Sequence, residues 1–462
     1  MTGPVAAGAS ELQAKLSRFV TENRLPGAAA GVVHGDELAW LAAVGFADLA
    51  SRRPSRPEAL YRIASITKTF TGTAIMQLRD AGRLNLDDPA VAYLPELRGA
   101  VSPFTAIEAV TIRRMLSHES GLAAEPPGTD WSVPLYQGAA KLTLAQAGDI
   151  VLKLRPNGQH KYSDLAYQLL GEVVTRVSGT EYPKYVRDSI LDPLGMSATS
   201  FEPLAGTLLS RRATGYDWRA LSDELDQAPA MSPLWAEGGL WSCVADLARW
   251  ISFQLRAHRQ QAPDSAVLAA ASLREMHKPR YLADDGWRKA WGISWCGNRL
   301  GDAIWIQHSG GLPGFTSTVC FDPREQVGAI ALLNGTSGSA ELAFDLASVA
   351  RRLAGSAPSA VEAPAPTPAV YRPLLGIYAR PGLGGWVLRL EWRDGRLTFV
   401  SPDAGWRLAL EPTSNPDVFT AEPGSNFSGE DVIFRRGVNG QVTSVLLVES
   451  TFLRLDSRAE PE

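Results

Sequence analysis

Residues 64–70 read "ASITKTF", which puts Ser65 and Lys68 three positions apart where a helix begins. Residues three apart on a helix share a face, so an amine there can reach the hydroxyl. A serine hydroxyl is a poor nucleophile near neutral pH unless a neighbour takes its proton. A chain this rich in serine and lysine yields roughly one S-x-x-K match by chance, so the motif needs partners elsewhere.

Three segments have the composition of such partners. "KYSDLAY" (161–167) places Tyr162 and Asp164 just before a helix. "IQHSGGLPGF" (306–315) reads as a strand with Ile304, Ile306 and His308 on one face, followed by Ser309, Gly310 and Gly311. Small residues on an edge strand let a substrate backbone approach main-chain N–H groups. "EGGLWSCVADLARW" (237–250) is a Gly-Gly turn leading into a helix. The ordinary reading of each is weaker chemistry: Asp164 as a helix cap, His308 as a strand histidine, His118 as a loop-fixing residue. Trp131, Trp235 and Trp241 are core candidates before they are pocket candidates.

The elements around these segments suggest one body. Residues 10–22 have an amphipathic period, with Leu12, Leu16, Phe19 and Val20 on one face and a Ser10/Gln13 capping box. "AAAGVVHGDELAWLAAVGFAD" (28–48) predicts two strands joined at Gly35-Asp36. Helical periods fill roughly 85–280, the clearest being "SDLAYQLLGEVVTRVSG" (163–179), stopped by Gly179. Strands return in "AWGISWC", "AIWIQHSG", "STVCFDP" and "VGAIALLNG", and a helix follows at about 339–353. Strands at both ends and helices between them predict an α+β domain over 1–353, with an antiparallel sheet flanked by helices.

Residues 354–370, "AGSAPSAVEAPAPTPAV", carry four prolines and no hydrophobic period, the composition of a linker. From 371 to 462 the pattern is β only, with Asp-Gly and Asn-Gly turns, which predicts a small barrel-like domain.

The order S-x-x-K, Y-S-D, H-S-G, with "MLSHESGL" (115–122), "GGLWS" (238–242) and "HSGGLPGF" (308–315), resembles the superfamily of serine β-lactamases and penicillin-binding proteins. It is most similar to the class C-like branch, which also holds D-aminopeptidases, other peptidases and carboxylesterases. The resemblance spans about residues 10–355 and implies the β-lactamase/transpeptidase-like fold, with a lipocalin-like C-terminal barrel. It implies Ser65 as the acylated nucleophile, Lys68 as its neighbouring base and Tyr162 as a second proton-transfer residue. His308, Ser309 and Gly310 match the motif that usually starts with lysine, and Gly311 with Ser65 would supply the oxyanion N–H groups. Asp164 stands where the family more often has asparagine; an ionised aspartate accepts but cannot donate, and beside Lys68 it favours the ammonium. It could also receive a substrate's free amine.

The resemblance implies a serine hydrolase working through an acyl-enzyme on small amides or peptides, D-configured ones included. A carboxylesterase, a β-lactamase and a non-hydrolytic penicillin-binding-like protein are the alternatives. A G-x-S-x-G elbow is absent from the sequence, which argues against an α/β-hydrolase.

The chain as a whole narrows the partners. Its 462 residues are 45% hydrophobic and 20% charged with a net charge of −4, and no basic tract marks a nucleic-acid partner. No run approaches the ~18 apolar residues of a membrane span. The N-terminus lacks the basic and apolar regions of a signal peptide, and three widely spaced cysteines make no disulfide framework, so a cytoplasmic setting is expected. No metal or organic cofactor is expected. The partner is a small molecule or short peptide, and a homo-oligomer is compatible with the sequence.

Overall fold

The computed structural model describes residues 8–127, 144–157, 159–201, 206–218, 225–228, 235–259, 265–282, 288–300, 303–355, 367–380, 387–393, 395–400, 407–422, 427–447 and 450–455. The predicted hairpin forms as Gly27–His34 and Glu37–Asp48, turning at Gly35 with φ +63. Around it stands a nine-stranded sheet ordered Arg53–Pro54, Glu37–Asp48, Gly27–His34, Val327–Leu333, Phe315–Asp322, Ala303–Leu312, Cys296–Leu300, Lys289–Trp291, Tyr281–Leu282. Each neighbouring pair is antiparallel.

The first and last helices of this body, Ala9–Glu22 and Ser339–Leu353, cover one face. Leu12, Leu16, Leu342 and Leu346 share a core there with Val32, Ala329 and Ala331. The helices Thr67–Asp80, Asp164–Ser178 and Val244–Arg256 belong to the larger core on the other face, with Phe70, Leu170, Trp250 and Val319. Burying these side chains stabilises the body by roughly 1.5–3 kcal/mol for each large one, before entropy is subtracted.

Three local expectations change. Gly8 occupies the N-cap of the first helix with no side-chain hydrogen bond, so the Ser10/Gln13 box does not form; Gln13 donates to Ser17 Oγ instead. "AWGISWC" is two strands, broken over Gly292–Trp295. There Ile293 N–H bonds Met276 O, Ser294 N–H bonds Leu116 O with Ser294 at φ +61, and a Cβ on Gly292 would meet Met276 O at 2.2 Å. Ile304 is exposed while Ile306 and His308 are buried, and its neighbours Ala303 and Trp305 are buried on the opposite face in the core shared with the first and last helices.

The helix after Tyr162 follows its local code closely. Ser163 Oγ accepts from Ala166 N–H at 3.0 Å, and Gly179 closes the C-terminus at φ +71. Beyond the body, eight antiparallel strands from Gly376–Ala379 to Ser450–Arg454 close into a barrel, the first pairing the last at Tyr378↔Arg454. Tyr378, Leu388, Phe399, Leu408, Phe434 and Phe452 are buried in its core. A short 3₁₀ helix, Ala369–Leu374, precedes the first strand, with Leu374 in that core and Tyr371 stacked on Trp392.

Among the described residues no helix is long and apolar enough to cross a membrane.

Candidate active site

From Ala59 to Met76 every residue is buried except Ser65. The chain reaches it through a 3₁₀ turn, Ala64–Ile66, that runs straight into the helix Thr67–Asp80. Ala64 holds φ +46, a left-handed backbone conformation uncommon outside glycine and costly enough that its surroundings must enforce it. They do: Ser317 Oγ donates to Ile63 O at 2.8 Å, and Ile66 N–H bonds the same carbonyl. Gly310, on the strand Ala303–Leu312, packs so closely that a Cβ there would lie 2.2 Å from Ile63 O and 2.9 Å from Ala64 Cβ.

Lys68, fully buried, donates to Ser65 Oγ at 2.9 Å and to the Glu237 carbonyl at 2.7 Å, and forms an ion pair with Asp164. Its nitrogen lies 5.0 Å from the Tyr162 ring centroid and 5.6 Å from that of Tyr167. Burial works against the charge, but the Asp164 carboxylate and the Tyr162 oxygen outweigh it and raise the Lys68 pKa above the usual lysine range. Burial likewise pushes the Tyr162 phenol up to about 12, against the pull of Lys68 and a hydrogen bond with Ser65. Since the ammonium already donates to Ser65 Oγ, the serine's own proton is left for Tyr162. At neutral pH both potential acceptors of that proton are protonated.

Tyr162 is held from several sides. His118, at φ +60, stacks on its ring at 4.2 Å and accepts from Ser163 N–H through Nδ1 at 3.2 Å. Trp291 lies 5.9 Å from the Tyr162 ring and 5.7 Å from His308. Burial, with the Lys68 charge behind it, drives His308 down to about 3, against its Nδ1 contact of 2.7 Å with Ser309 O. The imidazole is therefore neutral. With Nδ1–H on that carbonyl, Nε2 keeps a lone pair, and it is buried with no partner among the described residues.

Ser65, Lys68, Tyr162, Asp164 and His308 thus come together. Ser309 does not follow them: its hydroxyl donates to Gln307 Oε1 at 3.1 Å and accepts from Thr318 Oγ1 at 3.0 Å. Gly311 is exposed on the same strand, with open space where a side chain would stand. Asp164 is engaged by Lys68 rather than waiting free for a ligand.

Sequence reasoning missed Glu125, Glu237 and Trp291. Burial, then the neighbouring Asp164, raises Glu125 well above the carboxylate range, and burial also raises Glu237. Their approach to Lys68 depends on loops with no period or motif, although "EGGLWS" marked the segment that carries Glu237. Trp241 is core, enclosed by Arg62 and Arg212 at 4.9 Å each. Trp131 lies outside the described residues. Among the described residues no group of three or more His, Cys, Asp or Glu is placed to hold a metal.

This geometry invites comparison with known families, and the beta-lactamase family profile matches residues 12–354. The chain belongs to the beta-lactamase family. Among curated relatives it is 28% identical over 318 residues to Protein flp of Staphylococcus aureus, covering 68% of this chain and 60% of that protein. The chain therefore spans only about 60% of the length of that relative. Of solved structures, the octameric penicillin-binding protein homologue from Pyrococcus abyssi aligns over 96% of this chain and 99% of its own, at 21% identity and a TM-score of 0.60. A D-stereospecific amidohydrolase from Streptomyces sp. aligns over 73% of this chain and 98% of its own, at 23% identity and a TM-score of 0.61. The first likeness runs through the barrel as well as the body.

Proposed function

We propose that the chain cleaves small amides or short peptides, D-configured ones included, through an acyl-enzyme on Ser65. The observation that carries this is the pairing at one oxygen: Ser65 Oγ takes a hydrogen bond from the buried Lys68 ammonium and faces the protonated Tyr162 phenol. In the fraction of molecules whose Tyr162 has lost its proton to solvent, the phenolate beside the Lys68 ammonium takes the serine's proton as Ser65 attacks the carbonyl. The Lys68 charge stabilises the oxygen anion that proton transfer leaves behind. Tyr162 then returns the proton to the departing nitrogen, the step that separates amides from esters, whose leaving groups depart with less help. The N–H groups of Ser65 and Gly311 would hold the carbonyl oxyanion.

Charge supports the choice of substrate. The neutral His308 supplies no positive charge at the position where the family's motif usually has lysine, so β-lactams and C-terminal carboxylates find less help there. Glu125, Asp164 and Glu237 stand in the wall near Lys68; burial favours the neutral form of Glu125 and Glu237, and a substrate amine would be received by ionising one of them. The D preference has the weaker support of a shared fold with a D-stereospecific amidohydrolase.

The test is turnover of D- and L-alanine p-nitroanilides and p-nitrophenyl butyrate by wild type and Ser65→Ala. Anilide turnover that falls by about 10⁴-fold or more in the variant is expected. Ester turnover alone makes the chain a carboxylesterase, and activity that survives Ser65→Ala removes the reading altogether.

A further inference from the structure

The barrel touches the hydrolase body at the turn Phe427–Glu430, between its strands Val418–Ala421 and Asp431–Arg436. Gly429, at φ +78, comes so close that a Cβ would stand 2.7 Å from Leu154 Cδ2. Ser428 is buried beside it. Glu430 extends from this turn and meets Lys161 Nζ at 2.5 Å, the Lys161 side chain being 1% exposed and the Glu430 side chain 28%. Among the described residues, no other carboxylate meets this cation.

Lys161 is the residue before Tyr162. Its N–H bonds His118 O at 2.7 Å, and the next residues are tied to the same layer through Ser163 N–H on His118 Nδ1 and Ser163 Oγ on Ala123 O at 2.6 Å. A buried ammonium stripped of its counter-ion is strongly unfavourable and must move or draw in water. With the Lys161 side chain 1% exposed, either response acts on the wall beside the backbone that carries the Tyr162 phenol.

We propose that Glu430 is a positioning residue for Tyr162: by neutralising Lys161 inside the wall, the barrel fixes the phenol over Ser65. This rests on the reading of Ser65 and Tyr162 given above. It makes the barrel a working part of the site, joined to it across 269 positions of sequence.

The experiment compares wild type, Glu430→Gln, Glu430→Asp and the double variant Lys161→Met/Glu430→Gln, all as full chain. Turnover is measured on whichever p-nitrophenyl substrate the wild type cleaves, with circular dichroism and thermal melting alongside. Glu430→Gln is expected to lose on the order of ten- to a hundredfold in kcat, because small misplacements of a reacting group are costly, with KM nearly unchanged. Glu430→Asp, which keeps the charge, recovers part of the loss. The double variant, with no stranded cation, recovers most of it. Wild-type kcat in Glu430→Gln overturns the proposal, as does a loss matched by the fraction unfolded or one that the double variant shares in full. If Glu430→Gln does not fold, Glu430→Asp decides: an intermediate kcat at constant KM supports the proposal, and an unchanged kcat ends it. Ser65→Ala in parallel separates the two readings, since activity surviving there removes the catalytic assignment whatever Glu430 does.

Discussion

The two most enclosed regions of the molecule, the wall around Ser65 and the interior of the barrel, are built on opposite terms. The barrel core is aliphatic and aromatic, with Phe399, Phe419 and Phe434 packed on one another and on Tyr378, whose hydroxyl is satisfied by Leu374 O at 2.6 Å. The wall contains a buried ion pair, left-handed residues at Ala64, His118 and Ser294, and nitrogens on His118, His160, Trp291 and His308 that have no hydrogen-bond partner among the described residues. Each of those features costs stability, so the packed cores around the wall must supply what it gives up. Burial by itself therefore says little about purpose, whereas the clustering of strained residues and of buried nitrogens with no partner among the described residues sets the wall apart from the barrel core.

The sharpest way to test that contrast is to alter one aromatic side chain in each region. Tyr162→Phe keeps the ring stacked on His118 and is expected to cost about 10²–10⁴ in kcat with little change in melting, read by steady-state turnover beside calorimetry. A loss of stability without a loss of rate would make Tyr162 a packing residue. Phe434→Ala should do the reverse, costing about 3–5 kcal/mol of barrel stability in denaturant titration. Its turnover should fall only as the barrel releases Glu430.

Asp164→Asn tests the charge balance of the wall and should give the smallest effect. Burial and Asp164 both raise the Tyr162 pKa, so removing the Asp164 charge lets the phenol ionise at lower pH. The alkaline rise in kcat should move to lower pH by about one unit or more in a pH–rate profile. His308, already neutral, should contribute no inflection between pH 5 and 9 in either protein. A profile that stays in place would mean that ionisation of Tyr162 does not gate the proton transfer.

What the sequence made legible was local. The Ser163 cap and the Gly179 stop bound the helix after Tyr162, and the Gly35 turn set the first hairpin. The motif order singled out Ser65, Lys68 and Tyr162, which lie where helices begin, and His308, which lies within a strand just before a run of small residues. The pieces that escaped are tertiary. Gly292 to Trp295 looks like strand, and only the carbonyls of Leu116 and Met276 pull it out of the ladder. The Glu237 carbonyl on Lys68 involves a backbone atom that residue identity does not encode. Lys161 and Glu430 read as two surface charges until the fold buries one against the other. Ser309 shows the converse, since a motif position can be filled while its hydroxyl turns toward Thr318.

Gly310 and Gly311 are the same letter twice, yet the molecule holds them to different standards. At 310 a single added carbon would strike Ile63 O and Ala64, whereas at 311 it would meet nothing. Descendants of this chain are free to vary what the strand offers an incoming molecule at the second position. At the first, where the strand grips the nucleophile's turn, drift has almost nowhere to go.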